Sequence, residues 1–234
     1  MGTFGKAWMR GQVVRVVNGS SYLGQVQGPN SDTLKFAKVL CANCNNSRSQ
    51  PFDAAYETFS RYVRTNSRVG EEYFSFKFSN IYGSDWRNER EALVRYFVKA
   101  IGCRLAEDGL QTPKAVIDFL DGSGKRAPHL NMEMGVNLAK LEMGKHMKFH
   151  GEEEGSLWLG DHGPWVDNAG ALVGTWSFFG FQWFTLTWVF FFDRVRGRSN
   201  FYNSDKVEMN QFWPPGIAAG DAERACTVCN HGHP

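Results

Sequence analysis

The chain has 234 residues, with 26 Lys and Arg against 24 Asp and Glu, so its formal net charge is only +2. This balance excludes a strongly basic nucleic-acid coat protein and a chain with a long acidic tail. Apolar residues make up 42% and charged residues 21% of the chain, which is typical of a folded protein with a core and excludes a disordered one.

The first quarter of the chain predicts two paired strands, a third strand and a helix. The pattern of apolar residues predicts strands over 12–17 and 22–26, joined at an Asn-Gly turn, and a third strand over 34–40. A helix follows, with Ser49 as its cap and a proline in its first turn. Its apolar residues recur at spacings of three and four, and we expect it to end near 65–67.

The middle of the chain predicts one short strand and two helices. Alternating phenylalanines over 73–78 predict the strand. Ser84 is expected to cap a long helix that ends by Gly109, and a short helix is expected over 112–120. From Leu130 onward the pattern predicts mostly strand.

An uncharged segment, residues 168–192, is long enough to cross a bilayer. Polar residues and glycines interrupt it, it has few Leu, Ile and Val, and β-branched and aromatic residues dominate its second half. We therefore predict two adjacent buried strands that turn near Gly180, with a membrane helix as the less favoured alternative.

The cysteines predict metal binding in preference to disulfides. No apolar leader is visible at the start of the chain, so we expect a cytoplasmic protein, and an odd number of cysteines argues against a disulfide framework. Cys103 is isolated in a helical pattern and is expected to be a small core residue. The other four form two C-x-x-C pairs: Cys41 with Cys44, and Cys226 with Cys229.

The pair Cys41 and Cys44 lies between a predicted strand and a predicted helix. Two thiolates at this spacing can hold one Zn²⁺, which predicts a zinc knuckle, the alternative being two unliganded buried cysteines. A four-thiolate structural zinc site would follow if the Cys226 and Cys229 pair completed it. Two alternatives remain: a local site at that pair with His231 or His233, or a tail in which the spacing is fortuitous.

The run 34–49, followed by a helix, resembles the second half of an HNH endonuclease domain. The resemblance covers roughly residues 10–65 and implies a ββα-metal, treble-clef-like core. It also implies action on DNA, with Mg²⁺ or another divalent cation if the protein is active. Asn45 and Arg48 match the asparagine and the basic residue that follow the family's second cysteine pair, and Asn30 is nearest to its middle asparagine.

The resemblance is incomplete, because HNH nucleases activate water with a histidine just upstream and this chain has no histidine before His129. An upstream C-x-x-C is missing as well. Three explanations follow: a domain that has lost catalysis, a start truncated at Met1, or a downstream histidine in the same role. His162, which lies between Asp161 and Gly163, is a weak candidate for that role, and a loop histidine is the alternative.

Basic residues in the first fifty positions far outnumber the single acidic residue there. Arg15, Lys35, Lys38 and Arg48 are the candidates for contacts with a phosphate backbone, and an ordinary solvated sheet face is the alternative. The run 122–125, Gly-Ser-Gly-Lys, resembles the end of a phosphate-binding loop. Other required positions differ, however, so we predict a simple turn.

These features together predict an α+β zinc protein with three regions. Residues 1–68 are expected to form a partial treble-clef or ββα zinc-knuckle core, 69–125 a helical region, and 126–234 an aromatic-rich antiparallel β region ending in the second C-x-x-C pair. The function expected is that of an HNH-lineage zinc protein that acts on or binds DNA and is either impaired in catalysis or truncated at its N-terminus. The alternative is a non-catalytic, zinc-stabilised module that binds nucleic acid or protein.

Overall fold

The fold comes from a computed structural model that describes residues 14–17, 21–25, 43–67, 69–141, 157–160, 162–193 and 198–212. These residues form a mixed α+β structure, as the sequence predicts. The predicted strand over 34–40 lies outside them.

The helices of this structure all lie in its first 141 residues. They are α1 (Gln50–Thr65), α2 (Phe78–Tyr82), α3 (Trp86–Glu107) and α4 (Lys114–Leu120). Single helical turns occur at Cys44–Arg48, Val69–Tyr73, Gly83–Asp85 and 138–141. The positions of α1, α3 and α4 confirm the three predicted helices.

The strands form one large sheet and two small ones. Their bounds are β1 (Val14–Val17), β2 (Ser21–Gln25), β3 (Ser75–Lys77), β4 (Leu130–Asn137), β5 (Leu157–Leu159), β6 (Gly163–Val166), β7 (Leu172–Phe181), β8 (Phe184–Phe191), β9 (Lys206–Glu208) and β10 (Asn210–Phe212). The large sheet has the order β10-β4-β8-β7-β5, with β6 also on β7. All its pairs are antiparallel except β10 with β4, which is parallel. The other two sheets are the antiparallel pairs β1–β2 and β3–β9.

The core is an aromatic cluster between the helices and the large sheet. Phe59 of α1 is fully buried, and its ring centroid lies 4.9 Å from that of Phe184 on β8 and 6.4 Å from that of Phe97 on α3. Tyr56 of α1 stacks on Tyr96 of α3 with a centroid distance of 3.9 Å. Side chains from all three predicted regions therefore contribute to one buried cluster.

Trp183, at the turn between β7 and β8, joins three parts of this core. Its indole Nε1 donates a hydrogen bond of 2.8 Å to the carbonyl of Val63 near the end of α1, and its own carbonyl accepts one from the amide of Asn137. Gly70 lies against the indole so closely that a Cβ there would be 2.6 Å from Trp183 Cβ. A Cβ at this position would overlap the indole, which explains the glycine in the turn Val69–Tyr73.

The uncharged segment 168–192 forms the hairpin β7–β8, as predicted. Its tight turn lies at Gln182 and Trp183, just after Gly180, and Gln182 has a φ of +53°. Among the described helices, none combines the length and apolar composition needed to cross a bilayer.

Over 73–85 the predicted strand is confirmed with shorter bounds, and the predicted helix cap is wrong. The predicted strand stops at Lys77, because Asp205 caps a new helix: its Oδ1 accepts from the Ser79 amide at 2.8 Å and its Oδ2 from the Ser79 hydroxyl at 2.7 Å. Ser84 is not the cap of α3, since it lies in a helical turn and Asp85 takes the cap position. The start of α2 depends on Asp205, which lies 126 residues from Ser79, and no local capping signal indicates such a partner.

We expect Gly70→Ala to lower the free energy of unfolding by about 1–3 kcal/mol, because its methyl group must displace the buried indole of Trp183. Gly102→Ala, in α3 with no atom near its added methyl, is the matched control and should raise stability by about 0.5–1 kcal/mol. Urea unfolding of both variants measures the difference. A Gly70→Ala variant as stable as the parent protein would contradict this packing.

Candidate functional site

The helical turn that begins at Cys44 leads directly into α1. Ser49 joins the two with helical backbone angles, φ −91° and ψ −2°, and it is buried. Its hydroxyl donates to the carbonyl of Asn45 at 2.7 Å and lies 3.2 Å from Oδ2 of Asp53. Ser49 therefore occupies the N-terminal cap position of α1, as the sequence predicts, but its side chain makes no capping hydrogen bond and instead links the Cys44–Arg48 turn to α1.

Two ion pairs attach this turn and the start of α1 to the helices beside them. Asp53 Oδ1 lies 2.6 Å from Nζ of Lys99 on α3, and that lysine side chain is only 14% exposed. Arg48 Nη1 lies 2.8 Å from Oδ1 of Asp121, just after α4, and both of these side chains are well exposed. The Asp53–Lys99 pair is half-buried and links the start of α1 to α3, whereas the exposed pair is worth at most about 1 kcal/mol.

The described residues include only part of the predicted metal and DNA site. Asn45 and Arg48 lie together on the turn, and both are exposed. Of Cys44, and of Arg15 in β1, only the backbone is described. The other predicted site residues lie outside the described ranges: Asn30, Lys35, Lys38, Cys41, Cys226, Cys229, His231 and His233. Within those ranges no group of three or more His, Cys, Asp or Glu could hold a metal ion.

A shallow groove of about 340 Å³ lies between the end of α1, the turn before β3, and β9. Tyr62, Tyr73, Lys77 and Lys206 are among its lining residues, and the ammonium of Lys206 is paired with Oε1 of Glu208 at 2.5 Å. The Tyr73 side chain is 60% exposed. Aromatic rings beside cations are typical of surfaces on which nucleobases stack.

His162, the candidate base, lies between β5 and β6 at the edge of the large sheet. Its Nδ1 contacts Oδ2 of Asp108, which follows the end of α3. Its ring meets that of Trp188 edge-on at a centroid distance of 5.2 Å. One turn earlier in α3, Arg104 donates a hydrogen bond of 2.6 Å to the carbonyl of Gly160, and this holds the loop against the helix.

Burial, and secondarily the positive charge of Arg104, lower the pKa of His162 to about 4. The carboxylate of Asp108 opposes this shift, but its side chain is 47% exposed and water screens its charge. His162 is therefore neutral at pH 7, with Nδ1–H donating to Asp108 and a lone pair on Nε2.

A neutral imidazole held by a carboxylate can act as a base or a metal ligand in general. Here, however, Nε2 is buried and has no hydrogen-bond partner among the described residues, so neither water nor a phosphodiester reaches it in this conformation. Asp108 also lies about 13 Å along α3 from Lys99, and on its opposite face. The structure thus does not bring His162 together with Asn45 and Arg48.

The partners of His162 could not be identified from the sequence. Asp108 lies 54 residues before it and Trp188 lies 26 residues after it, and neither stands in a recognisable motif. The local run Asp161-His162-Gly163 was the only signal, and it identified the histidine alone.

Comparisons with protein-family profiles, with characterised proteins and with solved structures give no match to this chain. Its function is therefore inferred from its own residues and contacts.

Between pH 6.5 and pH 4 we expect the protein to lose up to about 3 kcal/mol of stability through His162. In this window the unfolded chain binds a proton at this residue and the folded chain does not, so stability falls as the pH falls. Urea unfolding across the window should show this loss in the parent protein and a smaller one in His162→Gln. His129→Gln is the control, and equal pH dependence in the parent protein and His162→Gln would contradict the assignment.

Proposed function

We propose that this chain is a zinc-stabilised protein of HNH-nuclease lineage that binds DNA without cleaving it. The observation that carries the proposal is the position of the Cys44–Arg48 turn: it follows the hairpin β1–β2 in the chain and begins α1. This order of hairpin, cysteine turn and helix is the order that the ββα-metal resemblance implies. α1 in turn is held firmly on the core.

The donor set fits Zn²⁺. Thiolates in C-x-x-C pairs are the common ligands of structural zinc, and such sites take four of them in tetrahedral geometry. Cys41 and Cys44 would supply one pair, and Cys226 and Cys229 would supply the second. In the alternative, Cys226 and Cys229 would hold the metal locally with His231, His233 or both. The metal would supply cross-linking of distant parts of the chain and no chemistry of its own.

The DNA contact would centre on the exposed residues of the turn. Arg48 forms its ion pair with Asp121 at the surface, where such pairs are weak, so a phosphate can replace the carboxylate at little cost. Asn45 lies on the same exposed turn, and Arg15, Lys35 and Lys38 would add further positive charge. The tyrosine and lysine groove favours nucleic acid over a protein partner, because it offers both stacking and phosphate contacts.

The state of His162 argues against hydrolysis. A general base must come within hydrogen-bond distance of the water that it activates, and Nε2 of His162 is covered by protein. Its separation from Asn45 and Arg48 points the same way. We therefore favour a binding protein over a Mg²⁺-dependent nuclease. Such a nuclease would need Asn30 and Asn45 near the scissile phosphate and a general base other than His162.

Arg48→Gln should weaken binding of a labelled DNA duplex about 3- to 10-fold, and should reduce the slope of log K against log salt by about one unit, because one phosphate contact is lost. Arg61→Gln is the matched control: it removes the same charge from an exposed position on α1. Fluorescence anisotropy over a salt series measures both quantities. Absence of DNA binding at low salt would refute the proposal.

A plasmid-nicking assay with Mg²⁺ and Mn²⁺ separates binding from cleavage. We expect retention of the plasmid and no nicking. Metal-dependent nicking by the purified chain that decreases in Arg48→Gln together with DNA binding would contradict the proposal. It would show that the protein is an active nuclease.

A further inference from the structure

A second concave site, with no predicted role, lies at the first half of α3. It is a cavity of about 150 Å³ between α3, the end of α4, the turn that follows α4, and the segment 200–204. The side chains that give it its chemistry are Arg90 from α3, Lys125 and Arg126 from the turn, and Tyr202 with Asn203. Phe119 forms part of its apolar wall.

The cavity carries a net positive charge. Three cationic side chains line it, and its acidic residue, Glu91, is already paired with Arg95 at 2.5 Å. Arg90 is held in place, because its guanidinium lies over the Trp86 ring and donates a hydrogen bond of 3.3 Å to the carbonyl of Ser204. Burial lowers the pKa of Arg90, and a partly desolvated cation of this kind gains from an anion beside it.

The Tyr202 hydroxyl contributes an unused donor. It is buried, and the structure gives its proton no hydrogen-bond acceptor among the described residues. Burial raises the pKa of Tyr202 to about 12, with the amide of Ala127 and the charge of Arg126 partly offsetting the shift, so the phenol keeps its proton at neutral pH. Stacking on Phe201 at a centroid distance of 6.0 Å and an edge contact with Phe119 hold the ring.

We propose that this cavity binds a phosphate-type oxyanion, with Arg90, Lys125 and Arg126 neutralising its charge. The Tyr202 hydroxyl is closed off from solvent in this structure, so a small movement of the cavity wall must accompany binding for it to donate to one oxygen. The volume equals about five water molecules, which suits one phosphate group and is smaller than the pockets of about 300 Å³ or more that hold whole organic ligands. An entering oxyanion would give the buried hydroxyl the acceptor that it lacks.

The proposed way of binding the anion differs from that of a phosphate-binding loop. The run 122–125 is a turn, as predicted. It closes on the end of α4, where the Gly124 amide donates to the carbonyl of Asp118 at 2.8 Å and the Ser123 hydroxyl donates to the same carbonyl. Side chains, and not a cradle of amides, would therefore hold the anion. The site shares no residue with the Cys44 turn, although the turn that follows α4 carries both Asp121, the partner of Arg48, and the Lys125 and Arg126 side chains of the cavity.

Isothermal titration calorimetry of the whole chain with inorganic phosphate, in a buffer that contains no other phosphate, tests the proposal. The parent protein should bind saturably at millimolar phosphate. Lys125→Gln/Arg126→Gln should bind at least tenfold more weakly, and Tyr202→Phe, which removes only the hydroxyl, about tenfold more weakly. The control is Arg61→Gln/Lys114→Gln, which loses the same charge at exposed positions outside the cavity and should bind like the parent protein.

Competition by a short oligonucleotide distinguishes two sources of the same group. Displacement of phosphate by the oligonucleotide would assign the site to nucleic-acid phosphates, and lack of displacement would assign it to free phosphate or a small phosphorylated molecule. Absence of saturable binding by the parent protein, or equal binding by the control and by Lys125→Gln/Arg126→Gln, would overturn the proposal. Arg48→Gln should bind phosphate normally, so failure at this site and failure of the DNA proposal give different results.

Discussion

The packing of α1 against the buried aromatic cluster is the constraint on which the rest of the structure depends. Phe59 fills the space between α1, α3 and β8, and the indole of Trp183 holds the other end of α1 through the carbonyl of Val63. Protein interiors are close-packed, so α1 cannot shift without opening a cavity or forcing the Trp183 ring onto Gly70. The sheet, the helices and the turn between β7 and β8 thus keep one relative arrangement.

This arrangement determines what each functional region can do. The Cys44–Arg48 turn is an extension of α1 through Ser49, so it presents Asn45 and Arg48 at the surface from a rigid base. α3 separates that surface from His162, whose ring is closed in by Trp188 and Asp108. The cationic groups around Tyr202 lie at a third place, near the start of α3. The surfaces proposed to bind nucleic acid and phosphate therefore include exposed side chains, whereas Nε2 of His162, the candidate base, is buried.

The sequence predicted what depends on local periodicity and missed what depends on distant partners. The apolar stripes of α1 and α3, the hairpin of the uncharged segment and the buried position of Cys103 follow from spacing alone, and all are found. Asp205 accepts hydrogen bonds from Ser79, just after the strand, from 126 residues away, and the parallel pairing of β10 with β4 joins segments about 75 residues apart. The contacts of His162 are equally remote. No pattern in a single sequence relates such positions, because they meet only after the core has formed.

The proposed zinc would join the two C-x-x-C pairs to the start of α1, and its detection is the most direct test of the proposal. Elemental analysis with X-ray absorption at the zinc edge should be carried out on the full-length chain purified without added metal, and on Cys44→Ser. The account predicts one zinc per chain with sulfur among its ligands, and loss of that metal in Cys44→Ser. A folded protein that contains no zinc and takes up none when it is supplied would contradict the account.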